Sequence, residues 1–117
     1  MSVYSRVATG SAEVLAERQR VAVRKAVGAL DAVGKLGFRV WVVGSLAKGR
    51  FNVHSDIDFV VDCPTNREYD AFRAIERIMG DFPFHMVPFQ RLEQDAIPFM
   101  MEGALDASGI LVRQAKD

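Results

Sequence analysis

The sequence of 117 residues has little cysteine, little proline and no net charge. Cys63 is the only cysteine, so no internal disulfide can form, and a structural zinc site built from several cysteines is excluded. Fifteen basic and fifteen acidic side chains cancel, which leaves no overall positive field for nonspecific binding of nucleic acid. Any contact with nucleic acid would need a local basic patch.

Long apolar runs are also missing. No stretch approaches the roughly 20 apolar residues of a membrane-spanning helix, and residues 1–10 contain no apolar signal-peptide core. We therefore expect a cytoplasmic protein without membrane contact, and the single cysteine fits a reducing compartment. Half of the residues are hydrophobic, which is enough for a packed core. The chain is expected to form one domain over 1–117, with a core of about 11–112 after an N-terminal arm of 1–10.

Helical and extended patterns alternate along the chain. Ser11 is expected to cap a long amphipathic helix, and Thr65 begins a Thr-Asn-Arg-Glu capping box. The alternation predicts an α/β or α+β sandwich. The predicted elements are a helix over 11–36, a strand over 39–43, a helical turn over 45–48, a strand over 56–62, a helix over 65–79, an edge strand over 82–87, a helix over 92–102 and an extended segment over 110–112.

A loop of small residues joins two apolar strands in the middle of the chain. The first strand is followed by Gly44–Gly49 (GSLAKG), and the second follows Ser55–Asp58 (SDID). Because alternate residues of a strand point to one face, Asp56 and Asp58 should converge while Ile57 turns into the core. Glycines let backbone N–H groups approach phosphate oxygens, and carboxylates supply the oxygen ligands that Mg²⁺ prefers. The segment predicts a phosphate-and-metal site.

This motif resembles that of the nucleotidyltransferase superfamily, and within it the minimal nucleotidyltransferase (MNT) group. A lone Asp-x-Asp would be a weak signal, but the whole motif between two strands is specific. The resemblance implies the nucleotidyltransferase core, a small mixed β-sheet packed with helices. The family pattern is Gly-Ser, a short loop with a second glycine, and Ser-Asp-x-Asp, matched here by Gly44, Ser45, Gly49, Ser55, Asp56 and Asp58.

The resemblance also implies a role for each residue. Asp56 and Asp58 would bind Mg²⁺ or Mn²⁺ and act in catalysis, since bound metal ions stabilise the attacking and leaving oxygens. A different interpretation makes Lys48 a solvated loop cation and Ser55 a brace for the Asp56 loop, with the two acids paired to Lys48 or Arg50. The residues expected to bind the nucleotide phosphates are Gly44, Ser45, Lys48, Gly49 and Ser55.

His85 stands where the family has its third carboxylate, because His85–Pro88 (HMVP) matches the run that contains that acid. Imidazole is a poor ligand for Mg²⁺ and is better suited to Zn²⁺, Mn²⁺ or Co²⁺. It could still act as a catalytic base near neutral pH. The alternative is that His85 is an ordinary edge-strand residue and that activity is reduced or lost.

The expected function is transfer of a nucleoside monophosphate, AMP from ATP, to a hydroxyl acceptor. In some toxin–antitoxin members of the MNT group the acceptor is a tyrosine of the partner HEPN-domain toxin, so the resemblance implies a HEPN-type or other helical partner that presents the acceptor. The alternative function is that of a degenerate, non-catalytic antitoxin that neutralises its partner by binding alone. The sequence leaves self-association open.

Overall fold

The computed structural model describes the backbone of residues 2–116 and the side chains of residues 12–113. Its elements follow one another as helices and strands, with 3₁₀ turns at Thr65–Arg67 and Phe89–Arg91. The elements are α1 (Ser2–Gly34), β1 (Arg39–Val43), α2 (Gly44–Ala47), β2 (Ile57–Asp62), α3 (Glu68–Met79), β3 (Phe84–Pro88), α4 (Ile97–Met100) and α5 (Ala107–Lys116).

The three strands form one mixed sheet in the order β1-β2-β3. β1 is antiparallel to β2 and places Val43 opposite Asp58, whereas β3 is parallel to β2 and places His85 opposite Asp58. On the outer edge of β1, Leu105 pairs with Val42 through a single antiparallel bridge. The predicted small mixed sheet packed with helices is confirmed, and β3 lies at an edge as expected.

Helices α1 and α3 cover one face of this sheet. The side of α1 that faces the core is rich in alanine, which allows a close approach of the helix backbone. The two helices approach closely at Gly28, where an added Cβ atom would lie 3.1 Å from Cγ2 of Ile78 on α3. The core residues from these helices and from the sheet face beneath them include Ala22, Ala26, Ala29, Val33, Val40, Val42, Ile57, Phe59, Val61, Ala71, Ile75 and Met79.

The opposite face of the sheet holds the polar residues of the strands. Side chains alternate along β2, so Asp58 and Val60 point away from the helices that bury Ile57 and Phe59. Trp41, opposite Val60, is half-buried, and its ring centroid lies 6.0 Å from that of Phe89. The carboxylates therefore lie on the face that α1 and α3 leave open. Within residues 2–116, no helix has the length and apolar character needed to cross a bilayer.

The N-terminal helix is longer than predicted. α1 begins at Ser2, so the expected arm over 1–10 and the cap at Ser11 are wrong for the described residues 2–11. Gly10 lies inside the helix, and a single internal glycine costs only about 1 kcal/mol relative to alanine. The good helix formers that follow it outweigh this cost.

The C-terminal quarter departs most from expectation. The helix predicted over 92–102 is reduced to α4, because Pro98 lies in its first turn and a proline further inside a helix would remove a hydrogen bond. The segment 110–112, expected to be extended, lies in α5. Asp106 begins that helix, since its Oδ1 accepts a hydrogen bond from the Gly109 N–H at 2.7 Å.

The predicted helix over 65–79 is present as a 3₁₀ turn followed by α3, but the predicted capping box is wrong. The N-cap residues of these elements, Pro64 and Arg67, make no side-chain capping hydrogen bond. The carboxylate of Glu68 instead accepts a hydrogen bond from Gln90 Nε2 at 2.6 Å and pairs with Arg91 at 2.8 Å. The Glu68 carboxylate therefore takes part in a tertiary contact and not in a local helix cap.

Candidate functional site

Gly44 begins the turn between β1 and β2 and lies against Asp58. Its φ of 74° belongs to the left-handed region that side-chain-bearing residues rarely adopt. A Cβ atom at this position would lie 2.5 Å from Oδ2 of Asp58. Only glycine therefore allows the turn and the carboxylate to occupy neighbouring positions.

Asp56 and Asp58 approach one imidazole from the neighbouring strand. Nδ1 of His85 lies 3.5 Å from Oδ2 of Asp56 and 3.3 Å from Oδ1 of Asp58. Ile57, between the two acids, is completely buried on the helix side of the sheet. The three polar side chains remain accessible, with exposed fractions of 35%, 37% and 67% for Asp56, Asp58 and His85.

Partial burial shifts the pKa of Asp58. Loss of hydration raises the pKa of the Asp58 carboxyl above its ordinary value, the contact with His85 acts to lower it, and the nearby charge of Asp56 raises it further. A carboxylate kept charged in such surroundings gains from a cation placed beside it. The electrostatics of the pair therefore favour a positively charged ligand.

The donor set agrees with a divalent cation that shares its ligands with a substrate. Two carboxylates converge on one point, and carboxylate oxygens are the protein ligands that Mg²⁺ and Mn²⁺ prefer. Among residues 12–113, no group of three or more His, Cys, Asp or Glu side chains is arranged to enclose a metal ion. Asp56 and Asp58 would thus bind the ion incompletely and leave positions for phosphate oxygens and water.

The turn that precedes Asp56 is fixed by its own side chains. Oγ of Ser55 accepts a hydrogen bond from the Asn52 N–H at 2.9 Å, and Oδ1 of Asn52 accepts one from the His54 N–H at 2.8 Å. These hydrogen bonds support the interpretation in which Ser55 braces the loop that leads to Asp56. His54 is exposed on this turn.

The loop cations do not pair with the two acids. Nζ of Lys48 lies 5.4 Å from the ring centroid of Phe99, and both Lys48 and Arg50 are exposed. In the part of the chain with described side chains, the basic side chain within 4.0 Å of the Asp56 and Asp58 carboxylates is that of His85 alone. The structure brings together Gly44, Asp56, Asp58 and His85, whereas Lys48 extends toward α4.

Two arginines near the site were missed by sequence analysis. Arg113 of α5 donates hydrogen bonds to the carbonyl oxygens of Leu46, at 2.7 Å, and of Ala47. Arg18 of α1 donates to the carbonyl oxygen of Ser55 at 3.2 Å. Both lie far from the motif in sequence and near it only in the fold, so no local pattern could have identified them.

The site lies on an accessible surface, apart from two cavities of the described part of the chain. A cavity of about 310 Å³ lies beside the edge of β1, and another of about 340 Å³ lies along α3. Neither is lined by Gly44, Asp56, Asp58 or His85. The converging carboxylates still make this face the candidate site, because an open face can be closed by a substrate or by a second protein.

Comparison with known proteins agrees with this geometry. The family described as "Nucleotidyltransferase domain" matches residues 23–106, which include β1, the Gly-Ser turn, both acids and His85. Among curated proteins and solved structures, no significant match was found. The family match spans more than two thirds of the chain, and the chain therefore belongs to the nucleotidyltransferase-domain family.

Proposed function

We propose that this protein transfers AMP from ATP to a hydroxyl group with the help of Mg²⁺ or Mn²⁺. One observation supports this most strongly, namely the convergence of Asp56, Asp58 and His85 beside the tight turn at Gly44. The family supports nucleotidyl transfer in general. The choice of ATP, the metal and the acceptor are parts of the proposal.

In the proposed reaction the acceptor oxygen attacks the α-phosphorus of ATP. A phosphorus–oxygen bond forms to the acceptor, the bond from the α-phosphorus to the bridging oxygen breaks, and pyrophosphate leaves. A divalent ion held by Asp56 and Asp58 would supply the positive charge that stabilises the phosphate oxygens. Gly44 and Ser45 would bring backbone N–H groups to the phosphates, and Gly49, with its φ of 73°, would let the loop close around them.

His85 is proposed as the base that accepts the proton of the acceptor hydroxyl. Its Nδ1 faces the two carboxylates, so Nε2 is the nitrogen left to receive a proton. A carboxylate on the other ring nitrogen orients the imidazole, as in other catalytic sites. This arrangement makes the histidine useful at the position where the family has an acid.

The same residue leads us to propose a preference for Mn²⁺ over Mg²⁺. In place of its role as base, His85 would offer a ring nitrogen to the metal ion, and Mn²⁺ accepts nitrogen more readily than Mg²⁺ does. His85→Asp should strengthen ATP-dependent Mg²⁺ binding and reduce the Mn²⁺ preference, as measured by calorimetry. His85→Asn is the matched control, and an unchanged preference in His85→Asp would contradict a role for His85 in metal selection.

The acceptor is proposed to belong to a partner protein in the cytoplasm. Support comes from the resemblance to MNT proteins and from the open sheet face on which the two acids lie. A HEPN-type toxin presenting a hydroxyl is the partner that this resemblance implies. Transfer would neutralise the toxin by modification, whereas binding without transfer is the competing function.

The proposal is tested by incubating the purified protein with ATP labelled at the α-phosphate, Mn²⁺ or Mg²⁺, and an extract of the cells in which it is found. We expect label on protein together with pyrophosphate release, and loss of both in Asp58→Asn. Asp81→Asn, an exposed acid after α3, is the matched control and should behave as wild type. Absence of label and of pyrophosphate with every divalent metal tried would sink the enzymatic proposal.

A further inference from the structure

Two half-buried arginines, one on the first helix and one on the last, contact the segment 44–56, which runs from the Gly-Ser turn to Asp56. One arginine contacts each end of this segment. Arg18 is on α1 and Arg113 is on α5, and each guanidinium donates to backbone carbonyl oxygens of this segment. Neither arginine contacts Asp56, Asp58 or His85 in the described ion pairs.

Arg113 holds the end of the short helix α2. Its two terminal nitrogens donate to the carbonyl oxygens of Leu46 and Ala47, which are the last two residues of α2. Carbonyl oxygens at a helix end lack partners within the helix, and a cation there is favourable. A Cβ added at Gly49 would lie 3.8 Å from Nη2 of Arg113, so the loop also bends around the guanidinium.

Arg18 holds the other end of the segment. Its Nη2 donates at 3.2 Å to the carbonyl oxygen of Ser55, the group directly bonded to the backbone nitrogen of Asp56. The guanidinium carbon lies 4.4 Å from the centroid of the Phe82 ring, which restricts the plane of the guanidinium. Its Nε is buried and has no partner among the described residues.

We propose that Arg113 and Arg18 are positioning residues, which fix the phosphate side and the carboxylate side of the site respectively. Arg113 would determine where α2 presents Gly44 and Ser45, and Arg18 would determine where the backbone enters Asp56. The consequence for nucleotide binding rests on the proposed function, whereas the effect on the loop backbone does not.

The test measures the effect on the loop backbone and the effect on nucleotide binding separately. Arg113→Met keeps most of the side-chain stem and removes the donors, Arg113→Lys keeps one charged donor, and Arg24→Met on the exposed side of α1 is the matched control. Hydrogen exchange is measured at Lys48 and Arg50, whose N–H groups donate to the carbonyl oxygens of Gly44 and Ser45 at 3.0 and 2.8 Å. Binding of Mn²⁺-ATP is measured by calorimetry on the same proteins.

We expect Arg113→Met to speed exchange at Lys48 and Arg50 and to weaken nucleotide binding, each about tenfold, with Arg113→Lys between it and wild type. Exchange within β2 and the unfolding temperature should change little, as in Arg24→Met. Unchanged exchange at both amides, or faster exchange throughout β2, would overturn the positioning role. A wild type that binds no nucleotide would overturn the proposed function and leave the exchange result to judge Arg113.

For Arg18, the corresponding variant is Arg18→Met, with exchange measured at Ser55, whose N–H donates to the carbonyl oxygen of Asn52 at 3.0 Å. We expect about tenfold faster exchange there and no change at Lys48, because each arginine holds its own end of the segment. Equal effects at both ends would show a general loosening and contradict the division of roles.

Discussion

At the scale of single residues, Gly44 and Asp58 constrain each other. The absence of a side chain at Gly44 leaves room for the carboxylate, and a Cβ atom there would come within 2.5 Å of Oδ2. Asp58 in turn is the acid whose pKa burial raises. Burial of the charged Asp58 carboxylate therefore lowers the stability of the folded protein at neutral pH.

Gly44→Ala tests the steric half of this pair. The positive φ and the overlap with Asp58 should together cost at least about 1–2 kcal/mol in the free energy of unfolding. Gly34→Ala is the matched control, because no atom lies within 4 Å of the added Cβ, and it should be neutral or stabilising by up to about 1 kcal/mol. Denaturant unfolding measures both, and equal effects of the two changes would contradict the account.

Asp58→Asn tests how the raised pKa of Asp58 affects the stability of the folded protein. Because the folded-state pKa of Asp58 is raised, the folded protein binds this proton more tightly than the unfolded chain, and stability is lost as the pH rises through the folded pKa. At neutral pH the variant should therefore be more stable by somewhat less than about 1 kcal/mol, since the side chain is 37% exposed. The gain should vanish below about pH 4, near the ordinary pKa of aspartate.

Unfolding measured from about pH 3 to about pH 8 for Asp58→Asn, with Asp81→Asn as the control, checks this prediction. A stability loss at pH 7 in Asp58→Asn would show that the charged carboxylate has better compensation in the folded state than its contacts indicate.

Strand alternation was sufficient to predict that Asp56 and Asp58 share a face, since the period of two depends on local geometry alone. The register that sets His85 opposite Asp58 depends on the pairing of β2 with β3, and here the family resemblance supplied what periodicity could not. Arg18 and Arg113 could not be predicted, because their contacts join residues 37 and 66–67 positions apart.

At the scale of elements, the C-terminal segment shows how a single cap outweighs propensity. Ile110, Leu111 and Val112 are residues typical of strands, and an extended segment was expected there. Asp106 caps the helix instead, and Ile110 is buried against the core while Leu111 and Val112 are exposed. Only one of these three consecutive apolar residues is buried, and this pattern fits one face of a helix better than a strand.

Asp106→Ala tests this explanation. Loss of the hydrogen bond from Gly109 should cost about 1 kcal/mol of stability and reduce the helix content of α5. Ser108→Ala, an exposed change in the first turn of the same helix, is the control. Denaturant unfolding together with chemical shifts of α5 measures both quantities, and identical unfolding of the two variants would contradict the capping role.

At the scale of the whole molecule, helices α1 and α3 lie on one face of the sheet and the candidate site lies on the other. α1 and α3 bury Ile57 and Phe59, and the intervening Asp58 points to the open face beside His85. The positions of β1 and β2 followed from the apolar runs on either side of the motif. The long first helix, the shortened α4 and the helical α5 did not, because caps and tertiary packing determine where those segments begin and end.

The central claim is that Asp56 and Asp58 together bind a divalent ion and ATP on this open face. Calorimetric titration of ATP in the presence of Mn²⁺, on wild type, Asp56→Asn and Asp81→Asn, tests it most directly. The account predicts metal-dependent binding in wild type and Asp81→Asn, and at least about tenfold weaker binding in Asp56→Asn. Equal ATP affinity in all three proteins, or binding that persists without the metal, would contradict it.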